Sequence, residues 1–247
     1  MFKYIFLHLI LIHLLGDFYF QTKRLAREKN ESTWKLIEHG LIYTLVCIIG
    51  IIPIYDPTIL VAVIFLSMSH ISIDIIKLRY IKYLVIRENY QPDKERFVYL
   101  ADQILHIACI FIIAFILIIV NHEITLLPLI SNAFEITKIP YIAFFSWSLM
   151  LLLVWKPANI TIKQLLCLNK PHEDDGKKAG GFIGLLERLI ILLFLSINQY
   201  SAIGLVLTAK SIARYDEISK NKDFAEYYLL GTLLSTFIVI GVYLIVM

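Results

Sequence analysis

Runs of mostly apolar residues near 2–20, 36–54, 58–76, 97–120, 139–155, 182–199, 200–213 and 225–246 follow one another along the whole 247-residue chain. Most are long enough to cross a hydrocarbon core of about 30 Å. Backbone amides and carbonyls find no water in such a core, so runs of this kind are helices. Hydrophobic residues make up 59% of the chain and charged residues 17%, against roughly 45–50% apolar in a soluble domain. No soluble domain of ordinary size is left over. The predicted fold is all-α: a polytopic transmembrane helical bundle of about seven spans, with 182–213 free to form one re-entrant or tilted helical hairpin. It is read as a single integral membrane domain, 1–247, with a four-helix half at 1–120 and a second helical half at 140–247.

Residues Met1 to Phe20 start like a secretory signal, with Lys3 ahead of an apolar stretch, but His13 and Asp17 interrupt it and no small-x-small cleavage site follows. They are expected to stay as the first span. Cys47 and Cys109 lie in apolar runs and Cys167 in a polar connection, with no disulfide framework or thiolate metal motif among them.

The net charge of +3 matters less than its distribution. Of the 23 Lys and Arg residues, 20 fall in the connecting segments 21–35, 77–96, 156–178 and 209–224; the exceptions are Lys3, Lys138 and Arg188. By the positive-inside rule these four segments face the cytoplasm and both termini face away from it. Topology accounts for the basic loops, so the expected partner is the lipid bilayer and no nucleic acid is expected. Within 156–181, the stretch from Ile160 to Leu168 is expected at the interface, and Pro171 to Gly176 with Gly180-Gly181 reads as loop. Ala202 to Ala213 is about 18 Å long as a helix, too short to span, and pairs in this reading with 182–199.

Seven ionisable residues lie inside the first four apolar runs: His13, Asp17, His39, His70, Asp74, Asp102 and His106. Three runs carry them as pairs four residues apart, about 40° around a helix, so both members of a pair face one way. From the nearest cytoplasmic boundary, a rise of about 1.5 Å per residue puts Asp17 and His13 roughly 6 and 12 Å deep and His39 about 6 Å. Asp74 and His70 fall near 5 and 10 Å, and Asp102 and His106 near 9 and 15 Å. All seven occupy one layer although the helices alternate in direction. Chance would not favour that.

Ionisable side chains inside a membrane are costly and mark functional sites by default. Four imidazoles and three carboxylates suit zinc, manganese, iron or cobalt. They suffice for one or two divalent ions with a bridging Asp, an arrangement that activates water and stabilises a phosphoryl displacement. Helical bundles carry dimetal centres built from acid and His ligands on facing helices. Gln21 and Gln103 are placed to orient ligands or substrate. The plain alternative is a set of His–Asp hydrogen bonds holding the bundle together, each contributing about 0.6 kcal/mol. His8 lies about 140° from His13 around its helix and reads as an isolated polar contact. His122 and His172 read as solvated loop residues.

In the later half, Glu187, Arg188, Lys210, Arg214 and Glu226 share the cytoplasmic level. They read either as ion pairs with snorkelling lysine or as an Arg188, Lys210 and Arg214 clamp for an anionic substrate, with Gly180, Gly181 and Gly184 letting backbone approach it.

At these residues the chain resembles a family of bacterial integral membrane proteins known as domain of unknown function 3307. The tracts concerned run from His13 to Phe18 and on to Gln21, from His39 to Tyr43, and through His70, Asp74 and Lys77 and Asp102, Gln103 and His106. Further tracts are Gly184 to Arg188, Ala202 to Tyr215 and Ala225 to Ser235. The resemblance implies a bacterial inner membrane protein and brings no activity. The spacing of the polar residues is more distantly similar to that of inner-membrane proteins described as metal-dependent hydrolases.

The function expected is therefore a membrane-embedded metal-dependent hydrolase acting at the cytoplasmic face on a phosphate ester, lipid-linked or delivered from the cytoplasm. Asp17, Asp74 and Asp102 would take the catalytic role beside their ligand role. The alternatives are a proton- or metal-ion-coupled transporter using the same His and Asp residues, and a non-enzymatic membrane scaffold.

Overall fold

A computed structural model describes residues 2–54, 56–87, 91–120, 125–166 and 179–247. Among them there are only helices. In order they are α1 (Phe2–Leu14), continued by a π-helical turn (Leu15–Tyr19), α2 (Lys23–Glu28), α3 (Thr33–Gly50), α4 (Pro57–Ile86) and α5 (Pro92–Ile119). Then come α6 (Pro128–Thr137), α7 (Tyr141–Leu165), α8 (Ala179–Ser196), α9 (Tyr200–Ala213), α10 (Tyr215–Lys220) and α11 (Lys222–Val246). Among the described residues five stretches are long and apolar enough to cross a membrane: Phe2–Tyr19, Pro57–Ile86, Asp93–Ile119, Tyr141–Leu165 and Lys222–Val246.

Local chemistry sets the helix starts. Asp56 accepts from the Thr58 amide at 2.7 Å ahead of Pro57 in the first turn of α4. The Thr22 hydroxyl caps α2 by accepting from the Leu25 amide at 3.1 Å, and Asn221 caps α11 through the Phe224 amide at 3.1 Å. Such caps satisfy amides that the first turn leaves orphaned.

Several boundaries depart from the expected ones. α4 does not stop at residue 76 but carries Lys77, Arg79 and Lys82 on helix to Ile86, because basic residues are good helix formers once beyond the hydrocarbon. α7 likewise continues through Pro157 to Leu165, so the stretch expected as an interfacial connection is mostly helix. Gly180 and Gly181, expected as loop, lie in the first turn of α8, where no neighbour constrains them. Residues 171–176, together with His122, Cys167 and His172, lie outside the described residues.

The chain divides into two compact units, 1–145 and 146–247. In the first, α1, α3, α4 and α5 pack as a four-helix bundle. One half of its interior is apolar, filled by Ile5, Leu9, Ile12, Cys47, Ile59, Val63, Leu66, Ile110, Ala114 and Leu117. The other half is polar. Leu41, Leu45, Phe65, Met68, Ile104 and Phe115 are exposed on the outside of the same helices. Polar groups inside and large apolar side chains outside invert the arrangement water selects, so the bilayer is the solvent of this bundle. In the second unit α8 packs against α9 and α11. α9, at 14 residues, is about 21 Å long and too short to cross unaided.

Gly16, in the π-helical turn, packs directly against Tyr43 of α3. A Cβ there would lie 2.6 Å from Tyr43 Cδ2. Tyr43 is fully buried and its ring stacks on His70 with centroids 3.7 Å apart, so it has nowhere to retreat. Gly16→Ala is expected to destabilise the detergent-solubilised protein by about 1–3 kcal/mol, the usual cost of overpacking. Gly204→Ala, where a Cβ meets nothing within 4 Å, serves as the near-neutral control in the same thermal unfolding experiment.

Candidate metal centre

The polar half of the bundle is built by four helices and one connection. α1 brings His13, and the π-helical turn after it brings Asp17. The Phe20 amide reaches back five residues to the Leu15 carbonyl at 2.8 Å, which widens the turn and re-aims what it carries. α3 supplies His39, α4 supplies His70 and Asp74, and α5 supplies Asp102 and His106. None of the seven is more than 8% exposed.

Their ligand atoms converge. His39 Nε2 lies 3.1 Å from His70 Nε2, 3.3 Å from Asp17 Oδ1 and 3.5 Å from Asp74 Oδ2, and His70 Nε2 lies 3.6 Å from the same Asp74 oxygen. Two donors bound at about 2.0–2.2 Å to one tetrahedral ion stand roughly 3.3–3.6 Å apart. Two sets, Asp17/His39/His70 and His70/Asp74/His106, each place one ligand atom per residue within 4.8 Å of the others. The residue common to both sets is His70. The His13, His70 and His106 rings form a triangle with centroids 5.6, 5.2 and 4.3 Å apart.

The surroundings fix how the rings present themselves. With the Gln21 amide in the orientation that satisfies both its groups, its oxygen accepts from His39 Nδ1 at 3.3 Å and from Lys29 Nζ at 3.2 Å, and its nitrogen donates to the Asp17 carbonyl at 2.8 Å. His39 therefore carries its proton on Nδ1 and turns the Nε2 lone pair inward, the outer hydrogen bond that orients a ligating imidazole. His106 Nδ1 donates to the Asp102 carbonyl at 2.8 Å, which leaves its Nε2 with a lone pair. The Tyr43 hydroxyl lies 3.1 Å from His13 Nδ1. Buried and without a protein hydrogen-bond partner are His13 Nε2, His70 Nδ1, His106 Nε2 and Asp102 Oδ1. Buried polar atoms normally have partners, and His13 Nε2, His106 Nε2 and Asp102 Oδ1 fit a group that accepts lone pairs, as a cation does; His70 turns its other nitrogen, Nε2, toward His39 and Asp74.

Two lysines complete the electrostatics: Lys77, which the sequence marks only as part of the tract with His70 and Asp74, and Lys29, which it does not mark at all. Lys29, just past α2, is 6% exposed and donates to Asp17 Oδ1 at 3.1 Å and Asp74 Oδ2 at 3.2 Å. Burial works against its charge, but the Asp17 and Asp74 carboxylates, with Asp102 behind them, outweigh it and raise its pKa above the ordinary lysine value. Lys77 donates to Asp102 Oδ2 at 2.8 Å, and Gln103 Nε2 donates to the same oxygen at 3.2 Å. Asp102 thus sits at the edge of the cluster, tied to Lys77. His8 lies apart, with Nε2 3.0 Å from the Gly50 carbonyl and its ring stacked on Phe145, as an isolated polar contact would be.

The later polar residues are held within the second unit. Lys210 pairs with Glu187 and donates to Thr232 Oγ1 at 3.0 Å, and Arg214 pairs with Glu217. Arg188 is buried and donates from Nε to the Val154 carbonyl at 2.6 Å, while its Nη2 and Glu187 Oε1 have no partner among the described residues. Gly184 lies beside this guanidinium: a Cβ there would stand in ordinary contact with it, 3.4 Å from Arg188 Nη1. Glu226 is exposed on α11, outside this cluster.

Comparison with known proteins gives one match. Residues 5–133 fit the family described as "Protein of unknown function (DUF3307)", over half of the chain. The chain belongs to this family. The DUF3307 region takes in all seven clustered residues together with Lys29, Tyr43 and Lys77, and ends before Arg188, Lys210 and Arg214. No curated protein and no solved structure matches.

Proposed function

We propose that this protein is a metal-dependent hydrolase of the bacterial inner membrane, working on a phosphate ester at the cytoplasmic face. The observation that carries this reading is the convergence of side chains from the π-helical turn, α3 and α4: His39 Nε2 lies 3.1–3.5 Å from His70 Nε2, Asp17 Oδ1 and Asp74 Oδ2, and His70 Nε2 lies 3.6 Å from the same Asp74 oxygen. These four, with His106, would hold one or two divalent ions such as zinc, manganese, iron or cobalt. Bound there, the ion would supply hydroxide near neutral pH and a Lewis acid for the phosphoryl oxygens. The chain's own part is to hold the His39 tautomer through Gln21 and to hold Asp102 through Lys77 and Gln103.

The orientation rests on the alternating basic segments, which put the cluster a few turns or less below the cytoplasmic headgroups. An ester carried by a lipid or arriving from the cytoplasm meets the site at that level. Among the cations expected to meet an anionic substrate, Arg188 keeps a donor without a partner, while Lys210 and Arg214 are engaged by acids.

The test is turnover of p-nitrophenyl phosphate and its diester by the full-length protein in detergent, with manganese or zinc supplied. The expected result is metal-dependent cleavage that falls by at least about 10²-fold in Asp74→Asn, the scale of losing a group that acts at the reacting water. No cleavage above the His70→Ala background with either metal sinks the hydrolase reading. Cation flux in proteoliposomes that vanished in Asp74→Asn, without cleavage, would replace it by a carrier.

A further inference from the structure

The connection between α1 and α3 is short and polar. Between the π-helical turn and α3, over residues 20–32, two residues are buried: Leu25, which anchors α2, and Lys29. Burying a lysine from a loop requires a specific reason, and here the reason is two carboxylates from separate helices. We propose that Lys29 is the resting counter-ion of the metal centre, and that a divalent ion enters by exchange with its ammonium. This rests on the metal-site reading above.

The two cations contend for the same atoms. Asp17 Oδ1 and Asp74 Oδ2, which Lys29 engages at 3.1 and 3.2 Å, are the oxygens that lie within 3.3–3.6 Å of the His39 and His70 nitrogens. An ammonium has three donors and no lone pair, so it cannot join the ligand set. Nor can it stay beside a divalent ion in a medium of low dielectric, where like charges a few ångströms apart repel strongly.

Charge balance points the same way. With neutral imidazoles, three carboxylates and two ammoniums leave the cluster one negative charge in excess. Replacing Lys29 by a divalent ion, with Lys77 still on Asp102, makes it neutral. The ammonium has somewhere to go, because Lys29 follows α2 in a turn whose neighbours Asn30 and Glu31 are not buried. A four-carbon stem can swing its head from there to water, as lysines near membrane surfaces do. Lys29 is in this sense a tethered competitor that keeps the acids paired until metal arrives.

Titrating zinc alone into the full-length protein in detergent tests this. If Lys29 occupies the site in nine molecules of ten, removing it tightens apparent zinc affinity about tenfold, so Lys29→Met should bind at least that much more tightly than wild type. In wild type, labelling of Lys29 by an amine-reactive reagent should rise several-fold when zinc is added. Equal or weaker zinc binding by Lys29→Met, with binding still abolished by His70→Ala, overturns the exchange and leaves the metal site standing. Zinc binding in neither protein above the His70→Ala control removes the metal site and the exchange together. Where Lys29→Met fails to fold, wild-type labelling decides, and labelling that zinc leaves unchanged overturns the exchange.

Discussion

His70→Ala is expected to strip the purified protein of its metal, taking it from stoichiometric to background and weakening affinity by more than 10²-fold. His70 is the one residue in both donor sets, and its Nε2 stands 3.1 Å from that of His39. No neighbouring donor can move into its place, because Tyr43 covers one face of the ring and His106 lies 4.3 Å away on its own helix. Gln21→Leu gives the graded version. It removes the partner that holds His39 in its tautomer, and loss of such an outer partner typically costs 10–100-fold in metal affinity. His8→Ala, which loses the hydrogen bond to Gly50 and the stacking on Phe145, should leave metal content unchanged. Elemental analysis after desalting reads all three. Equal metal in His70→Ala and wild type would place any bound ion elsewhere.

Lys77→Met is expected to cost about 3–5 kcal/mol of stability, the scale of breaking a buried ion pair from one side. Lys77 and Asp102 have side chains 14% and 3% exposed, and without the ammonium Asp102 keeps only the Gln103 amide while its Oδ1 stays unpartnered. The penalty belongs to the stranded carboxylate more than to the lost bond. Adding Asp102→Leu should therefore recover most of it, since an apolar pair can replace a buried ion pair at little cost. Denaturation midpoints in one detergent distinguish the cases. A loss below about 1 kcal/mol in the single variant would mean that the pair behaves as an exposed surface bridge.

The architecture of the site was legible from periodicity. Four-residue spacing set His70 with Asp74 and Asp102 with His106 on shared faces, and alternating helix direction set all seven at one level; the bundle joins them as that arithmetic requires. Lys29 was not legible. In the sequence it is one of five basic residues between the first two spans, and topology alone explains such residues. Its burial depends on Asp74, 45 positions away, a contact that no local pattern carries. The π-helical turn at Leu15–Tyr19 escaped for a related reason: its Gly16 packs against Tyr43 of another helix, and nothing in the run from Leu14 to Phe20 announces it. Tyr43 reads as one aromatic in an apolar run until it is seen stacked on His70. The extents of α4 and α7 were misjudged because charge density marks the membrane edge, and a helix does not end where the membrane does.

The central claim is that imidazoles and carboxylates of four helices share a cation. X-ray absorption at the K-edge of whatever metal copurifies with the full-length protein tests it most directly. The expected spectrum shows nitrogen and oxygen neighbours at about 2.0–2.2 Å with the outer scattering of more than one imidazole, lost in His70→Ala. A sulfur shell, or a shell that His70→Ala leaves unchanged, would contradict it.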